Sequence, residues 1–133
     1  MNASTALGAY KATKTNVLID DASPHKLIAM LLDGALERVS MATGALERGD
    51  IAVTGECIGK AISIVDNLRV SLDLEKGGEL AQNLSALYDY MTRRLLEANA
   101  VKDASMLAEV SSLLKEIRLA WDQVPADLHH ASE

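Results

Sequence analysis

Few residues in this chain have the type and spacing that catalysis or metal binding requires. His129-His130 offers two adjacent imidazoles, a weak ligand pair with no third ligand near in sequence, so a solvated tail accounts for it better. Cys57 is the single cysteine, and no cation-rich neighbourhood is visible to depress its pKa; it reads as a small buried hydrophobe rather than a nucleophile. Di-iron chemistry in a helical bundle needs inward glutamates and Glu-x-x-His pairs, and no such pair occurs. His-Glu-x-x-His, paired Cys-x-x-Cys and Gly-x-x-x-x-Gly-Lys are missing as well, so neither a metal nor another cofactor is expected.

The remaining polar signals are structural. Asp33 interrupts the apolar run Met30-Leu31-Leu32, and its helical neighbours Ala29 and Glu37 offer no cation; it either faces solvent or meets a basic group on another helix. Asp89 and Arg93 stand in the favourable i,i+4 order, worth some tenths of a kcal/mol when exposed. Arg94 and Glu97 extend that pair into a charged strip of the kind that usually faces solvent. Tyr88 and Tyr90 fall on different faces of one helix, which directs at least one hydroxyl toward a surface or interface. Gly34, Gly55 and Gly59 sit inside helical patterns at a cost of about 1 kcal/mol each, marking close helix contacts or tolerated plasticity.

These residues need a scaffold, and composition indicates which. The chain has 133 residues, enough for one ordinary domain; 49% are apolar but only 3% aromatic, with no Phe, two prolines and eight glycines. That balance disfavours a β-sandwich and a disordered chain and leaves a helical domain. A formal charge of −6 repels phosphate backbones and anionic headgroups, so no nucleic-acid partner and no membrane insertion are expected. No signal-peptide pattern and no apolar run of 18 residues occurs, and a lone cysteine closes no intrachain disulfide; a soluble, reducing compartment is expected.

Four helices are predicted. Ser23 caps the first and Pro24 takes its first position, where a missing N–H is harmless. This helix runs to Arg48 and stops at Gly49, with Asp50 capping the second, from about Ile51 to Leu74. Lys76-Gly77-Gly78 is expected to end the second, Glu79 to about Asn99 to form the third, and Asp103 to about Val124 the fourth, with Pro125 beyond. Matched segments of roughly 20 to 27 residues, about 30 to 40 Å each, joined by short loops imply an all-α, antiparallel up-down four-helix bundle over residues 23–124. Residues 1–22 are expected to be a short segment or helix packed across the bundle as a cover, and residues 125–133 a flexible tail.

The helices differ in apolar width. Leu80, Leu84, Leu87, Met91, Leu95 and Ala98 in the third, and Leu107, Val110, Leu114, Ile117, Trp121 and Val124 in the fourth, are ordinary core stripes. Leu27, Ile28, Leu31, Leu32, Ala35, Leu36, Val39 and Leu46 sweep about half of the first helix. Cys57, Ile58, Ala61, Ile62, Val65, Leu68 and Leu72, extended by Ile64, sweep a similarly wide arc of the second. Excess apolar surface is therefore expected on the first helix pair. Either the N-terminal piece packs across it, anchored by Leu7 and Tyr10 or by Val17 to Ile19, or it forms a groove for a partner's amphipathic helix, or the piece is a removable cover over such a groove.

Several blocks of this sequence point further. They are Ala22-Ser23-Pro24-His25-Lys26-Leu27-Ile28, Met30-Leu31 with Asp33-Gly34-Ala35, Gly49-Asp50, Lys60-Ala61-Ile62, Leu74-Glu75-Lys76-Gly77-Gly78-Glu79, Asn83-Leu84, Leu87-Tyr88-Asp89-Tyr90-Met91, Arg93-Arg94-Leu95, Glu97-Ala98-Asn99 and Ala120-Trp121. In this order the chain resembles the flagellin-specific secretion chaperones, the FliS family, over about residues 7 to 122. The resemblance implies a cytoplasmic, non-enzymatic chaperone that binds the C-terminal segment of flagellin, prevents premature polymerisation and helps deliver it to a cytoplasmic component of the export gate. It also implies an N-terminal segment that occupies the apolar cleft until flagellin displaces it, with Leu7 and Tyr10 matching the anchors. The arcs and the resemblance together mark Leu7, Tyr10, Ile28, Leu32, Ile62, Ile64 and Leu68 as lining or covering the partner groove, in a monomer or weak homodimer.

Two other classes compete. His25-Lys26 is faintly similar to the histidine motif of phosphotransfer domains, but His25 lies two residues past the cap rather than mid-helix and lacks the expected downstream lysine-glycine spacing. A structural homodimer would instead bury the spare apolar surface against a second copy.

Overall fold

The computed structural model describes residues 23–123, which form four helices: α1 (Pro24–Glu47), α2 (Ile51–Val70), α3 (Leu74–Val101) and α4 (Ala104–Trp121). The proposed cover segment with Leu7 and Tyr10, and the tail with His129 and His130, lie outside the described residues.

Capping sets most of the boundaries. The Ser23 hydroxyl accepts from the Lys26 N–H at 3.1 Å, with Pro24 opening the helix. Asp50 Oδ1 accepts from the Val53 N–H at 3.1 Å, and Gly49, at φ +76°, makes the turn between α1 and α2. One boundary differs from expectation. Helix α2 ends at Val70 rather than Leu74, because the Ser71 hydroxyl donates to the Leu68 carbonyl at 2.9 Å and Asp73 immediately caps a new turn by accepting from the Lys76 N–H at 3.0 Å. Lys76-Gly77-Gly78 thus lies within α3, which breaks at Gly78 (φ +58°, ψ −137°) before running on. At the far end of α3, Lys102 adopts the left-handed conformation (φ +55°), and Asp103 caps α4 by accepting from Ser105 at 2.8 Å. Helix α4 ends at Trp121, three residues short of the expected Val124.

Each helix packs on its neighbours in sequence, and α1 also packs on α4, so the four close a ring in which the backbones of diagonal helices stay apart among the described residues. Directions follow from who meets whom. His25 meets Trp121 while Asp33 meets Arg118, and Tyr90 meets Glu109 while Leu80 and Trp121 share a cleft. The bundle is therefore antiparallel and up-down. Its core is one cluster whose largest fully buried members include Trp121, Tyr88, Leu32, Ile58 and Met91. The α1–α2 interface is the most extensive of the four and α3–α4 the least.

Candidate functional site

The wide arcs of α1 and α2 are largely consumed by the bundle itself. In a closed ring every helix has two neighbours on adjacent sides, so an apolar sweep of half the circumference is what a corner position buries. Ile28, Leu32 and Leu68 belong to the core, at 2%, 0% and 0% exposure. Their side chains do not form an open surface here. Ile62 and Ile64 are half-buried and pack against the core from α2, with Ile64 Cδ1 3.6 Å from where a Cβ on Gly34 would stand. Only these two of the seven expected groove residues are both described and partly accessible.

The open apolar surface lies elsewhere. Between α3 and α4 runs a cleft of about 250 Å³ lined by Leu80, Leu84, Leu87, Leu113, Ile117, Ala120 and Trp121, with Glu116 its one charged lining residue. Leu80 is 43% exposed at its mouth, and Leu84, Leu87 and Leu113 are half-buried. Leu80, Leu84, Leu87, Ile117 and Trp121 are residues whose spacing reads as ordinary core. The signal that could have separated them is Leu113, an apolar residue beside the Leu114 stripe that widens α4 toward α3. A larger trough of about 760 Å³ between α1 and α4 is lined mainly by polar and small residues, Asp33, Glu37, Ser40, Gly44, Glu47 and Lys115 among them, so a segment seated there would also face charged and hydroxyl groups.

Polar contacts bound the leucine cleft at both ends. Beyond Trp121 the indole stacks on His25, with ring centroids 4.4 Å apart and 14° between planes. At the other end, Glu109 Oε2 accepts from the Tyr90 hydroxyl at 2.6 Å and Oε1 from Arg94 Nε at 2.8 Å. The Tyr90 hydrogen bond, and after it that of Arg94, holds the Glu109 carboxyl below the usual carboxylate range, while the same bond raises the Tyr90 phenol. Arg94 thus reaches across to α4 in addition to its 3.3 Å contact with Glu97, so it is not solely part of a solvated strip. Of the two tyrosines, Tyr90 is the one near the surface; Tyr88 is fully buried, and desolvation pushes its phenol pKa up.

The residues singled out for reactivity are in quiet surroundings. Cys57 is buried in the core at 3% exposure. His25 Nε2 donates to the Trp121 carbonyl at 3.0 Å beneath the stacked indole, at the first turn of α1 rather than mid-helix. Among the described residues no group of three His, Cys, Asp or Glu could hold a metal ion. No described helix is long and apolar enough to cross a membrane.

Fold and cleft together describe a small all-α four-helix bundle with an open apolar cleft between two of its helices. A family model described as "Flagellar protein FliS" matches residues 6–128. The chain is 48% identical over 124 residues to the flagellar secretion chaperone FliSB of Pseudomonas aeruginosa, covering 93% of this chain and 98% of that one. It is 48% identical over 125 residues to the flagellar secretion chaperone FliS of Salmonella typhimurium, covering 93% of each. It is also 42% identical over 125 residues to the FliS chaperone of Vibrio cholerae, covering 94% and 92%. The chain belongs to the FliS family and is a flagellar export chaperone, not an enzyme.

Proposed function

We propose that this chaperone acts in the cytoplasm by binding the C-terminal segment of flagellin, keeping it from polymerising early and passing it to a cytoplasmic component of the flagellar export gate. The observation that carries the binding mode is the leucine-lined α3–α4 cleft, an apolar surface that the bundle's own described side chains leave open. A flagellin segment with apolar residues at helical spacing folds as it lays them into such a cleft. Each buried methylene contributes about 0.8 kcal/mol against the entropy of ordering the segment. A segment long enough to wrap beyond the cleft would also meet the half-buried Ile62 and Ile64 on α2, whereas Ile28, Leu32 and Leu68 lie within the core. Leu7 and Tyr10 serve as anchors of the N-terminal cover, and the apparent affinity for flagellin falls by the fraction of molecules whose cover is closed.

Calorimetric titration with the last ~40 residues of the cognate flagellin, about 60 Å if helical, tests this reading. Leu84→Asp is expected to weaken binding at least tenfold, and Tyr10→Ala to change the affinity, each with the helical circular-dichroism signal intact. Identical isotherms for wild type and Leu84→Asp would remove the cleft from the binding site. Mass measurement by size exclusion with and without the peptide distinguishes a chaperone that takes up the peptide from a homodimer whose apolar surface is already covered.

A further inference from the structure

We propose that Glu109 is a positioning residue for the partner cleft: it touches no partner, yet it sets the gap between the two leucine walls. This rests on the cleft reading above. The α3–α4 interface, least extensive of the four, is bridged by polar side chains at one end and opens into the cleft at the other. At one end both carboxylate oxygens of Glu109 are committed across it, one to Tyr90 and one to Arg94. One turn further along α4, from Leu113 onward, the walls stand apart, and open space runs to Trp121.

Helix α3 can tilt once that clamp is released, because Glu109 holds Tyr90 and Arg94, four residues apart, and so fixes the angle of the helix as well as its position. Its leucine half begins just past Gly78, whose backbone at φ +58° breaks the helix and which has no side chain to resist a change of angle. Its inner face stays packed through Ala81 and Tyr88, both buried, so the motion available is a tilt of the axis rather than detachment. Leu80 lies ten residues from Tyr90, a lever of about 15 Å, and a tilt of about 10° therefore moves it roughly 2–3 Å. That is the scale separating a cleft that admits a leucine from one that does not. By fixing the near end, Glu109 pre-organises both walls at a receptive width, and less ordering is left for the moment of binding.

The test uses the full chain at pH 7 with two readouts, amide hydrogen exchange in the free protein and calorimetric titration with the cognate flagellin's last ~40 residues. Glu109→Ala is expected to raise exchange about tenfold at residues 80–87, to leave α1 and α2 unchanged, and to weaken flagellin binding about tenfold. The exchanged pair Arg94→Glu with Glu109→Arg restores the interhelical ion pair and should recover most of both effects, which a merely destabilising change would not. Glu97→Ala removes the other carboxylate on Arg94 without touching α4 and should leave both readouts as in wild type. Exchange that is unaltered in Glu109→Ala, or that rises equally in all four helices, overturns the positioning role. A titration insensitive to Leu84→Asp overturns the partner reading instead, and the exchange pattern still judges the clamp.

Discussion

His25 and Trp121, 96 residues apart, exchange hydrogen bonds in both directions: the indole N–H donates to the His25 carbonyl at 2.9 Å and the imidazole Nε2 donates to the Trp121 carbonyl at 3.0 Å. With the rings stacked between them, the first turn of α1 is closed onto the last turn of α4. The ring of helices is sealed at the end where the described chain both begins and stops.

Trp121→Phe keeps most of the buried ring and loses the indole N–H, so it should cost about 1 kcal/mol, the usual net worth of one hydrogen bond. Trp121→Ala also empties a fully buried site and should cost about 3–5 kcal/mol. Urea unfolding followed by far-ultraviolet circular dichroism measures both. Equal losses in the two variants would mean that the ring's volume contributes nothing beyond its hydrogen bond.

The same substitution should have opposite signs at two glycines. Gly49 stands at φ +76°, where a Cβ meets no neighbour but the backbone conformation is itself unfavourable, so Gly49→Ala should destabilise by about 1 kcal/mol. Gly59 is inside α2 with open space where a Cβ would stand, and Gly59→Ala should stabilise by up to about 1 kcal/mol. Thermal midpoints moving in the same direction for both would contradict this.

Acid should loosen the α3–α4 clamp. Glu109 is held below the ordinary carboxylate range by Tyr90 and then Arg94, and Asp103 by the side chain and then the backbone N–H of Ser105. A carboxyl depressed in the folded state contributes stability that is fully present above its unfolded pKa, about 3.9–4.3, and is lost as pH falls through its folded value. Wild type should therefore exceed Glu109→Gln in urea midpoint at pH 7, with the gap closing as pH drops well below 4. A gap that is the same at pH 7 and pH 3 would show that the carboxylate form is not what stabilises the clamp. Tyr90 has the opposite sign: its raised phenol pKa contributes stability below about pH 10, which is lost at higher pH.

Much of this protein was legible one residue at a time. Ser23 and Asp50 cap the helices expected of them, because a cap is a bond between a side chain and a backbone N–H three residues away. Apolar stripes at 3-4 spacing announce a helical bundle for the same local reason, and the motif blocks announce the family. The cap at Asp73 lies outside the sequence reading, which runs α2 four residues past its end at Val70.

What only the tertiary structure decided was which apolar surface is left over and which charges meet. Periodicity measures how wide a helix's apolar arc is, but how closely its neighbours approach decides how much of that arc is covered. The broad arcs holding Ile28, Leu32 and Leu68 fill a corner of the ring, while the narrower stripe of Leu80, Leu84 and Leu87 stays partly open because α3 and α4 stand apart. Asp33 finds Arg118 at 2.9 Å and Glu109 finds Tyr90 and Arg94, partners 85, 19 and 15 residues distant in sequence. Local sequence sets each helix's faces; only the packing of four helices brings such faces together.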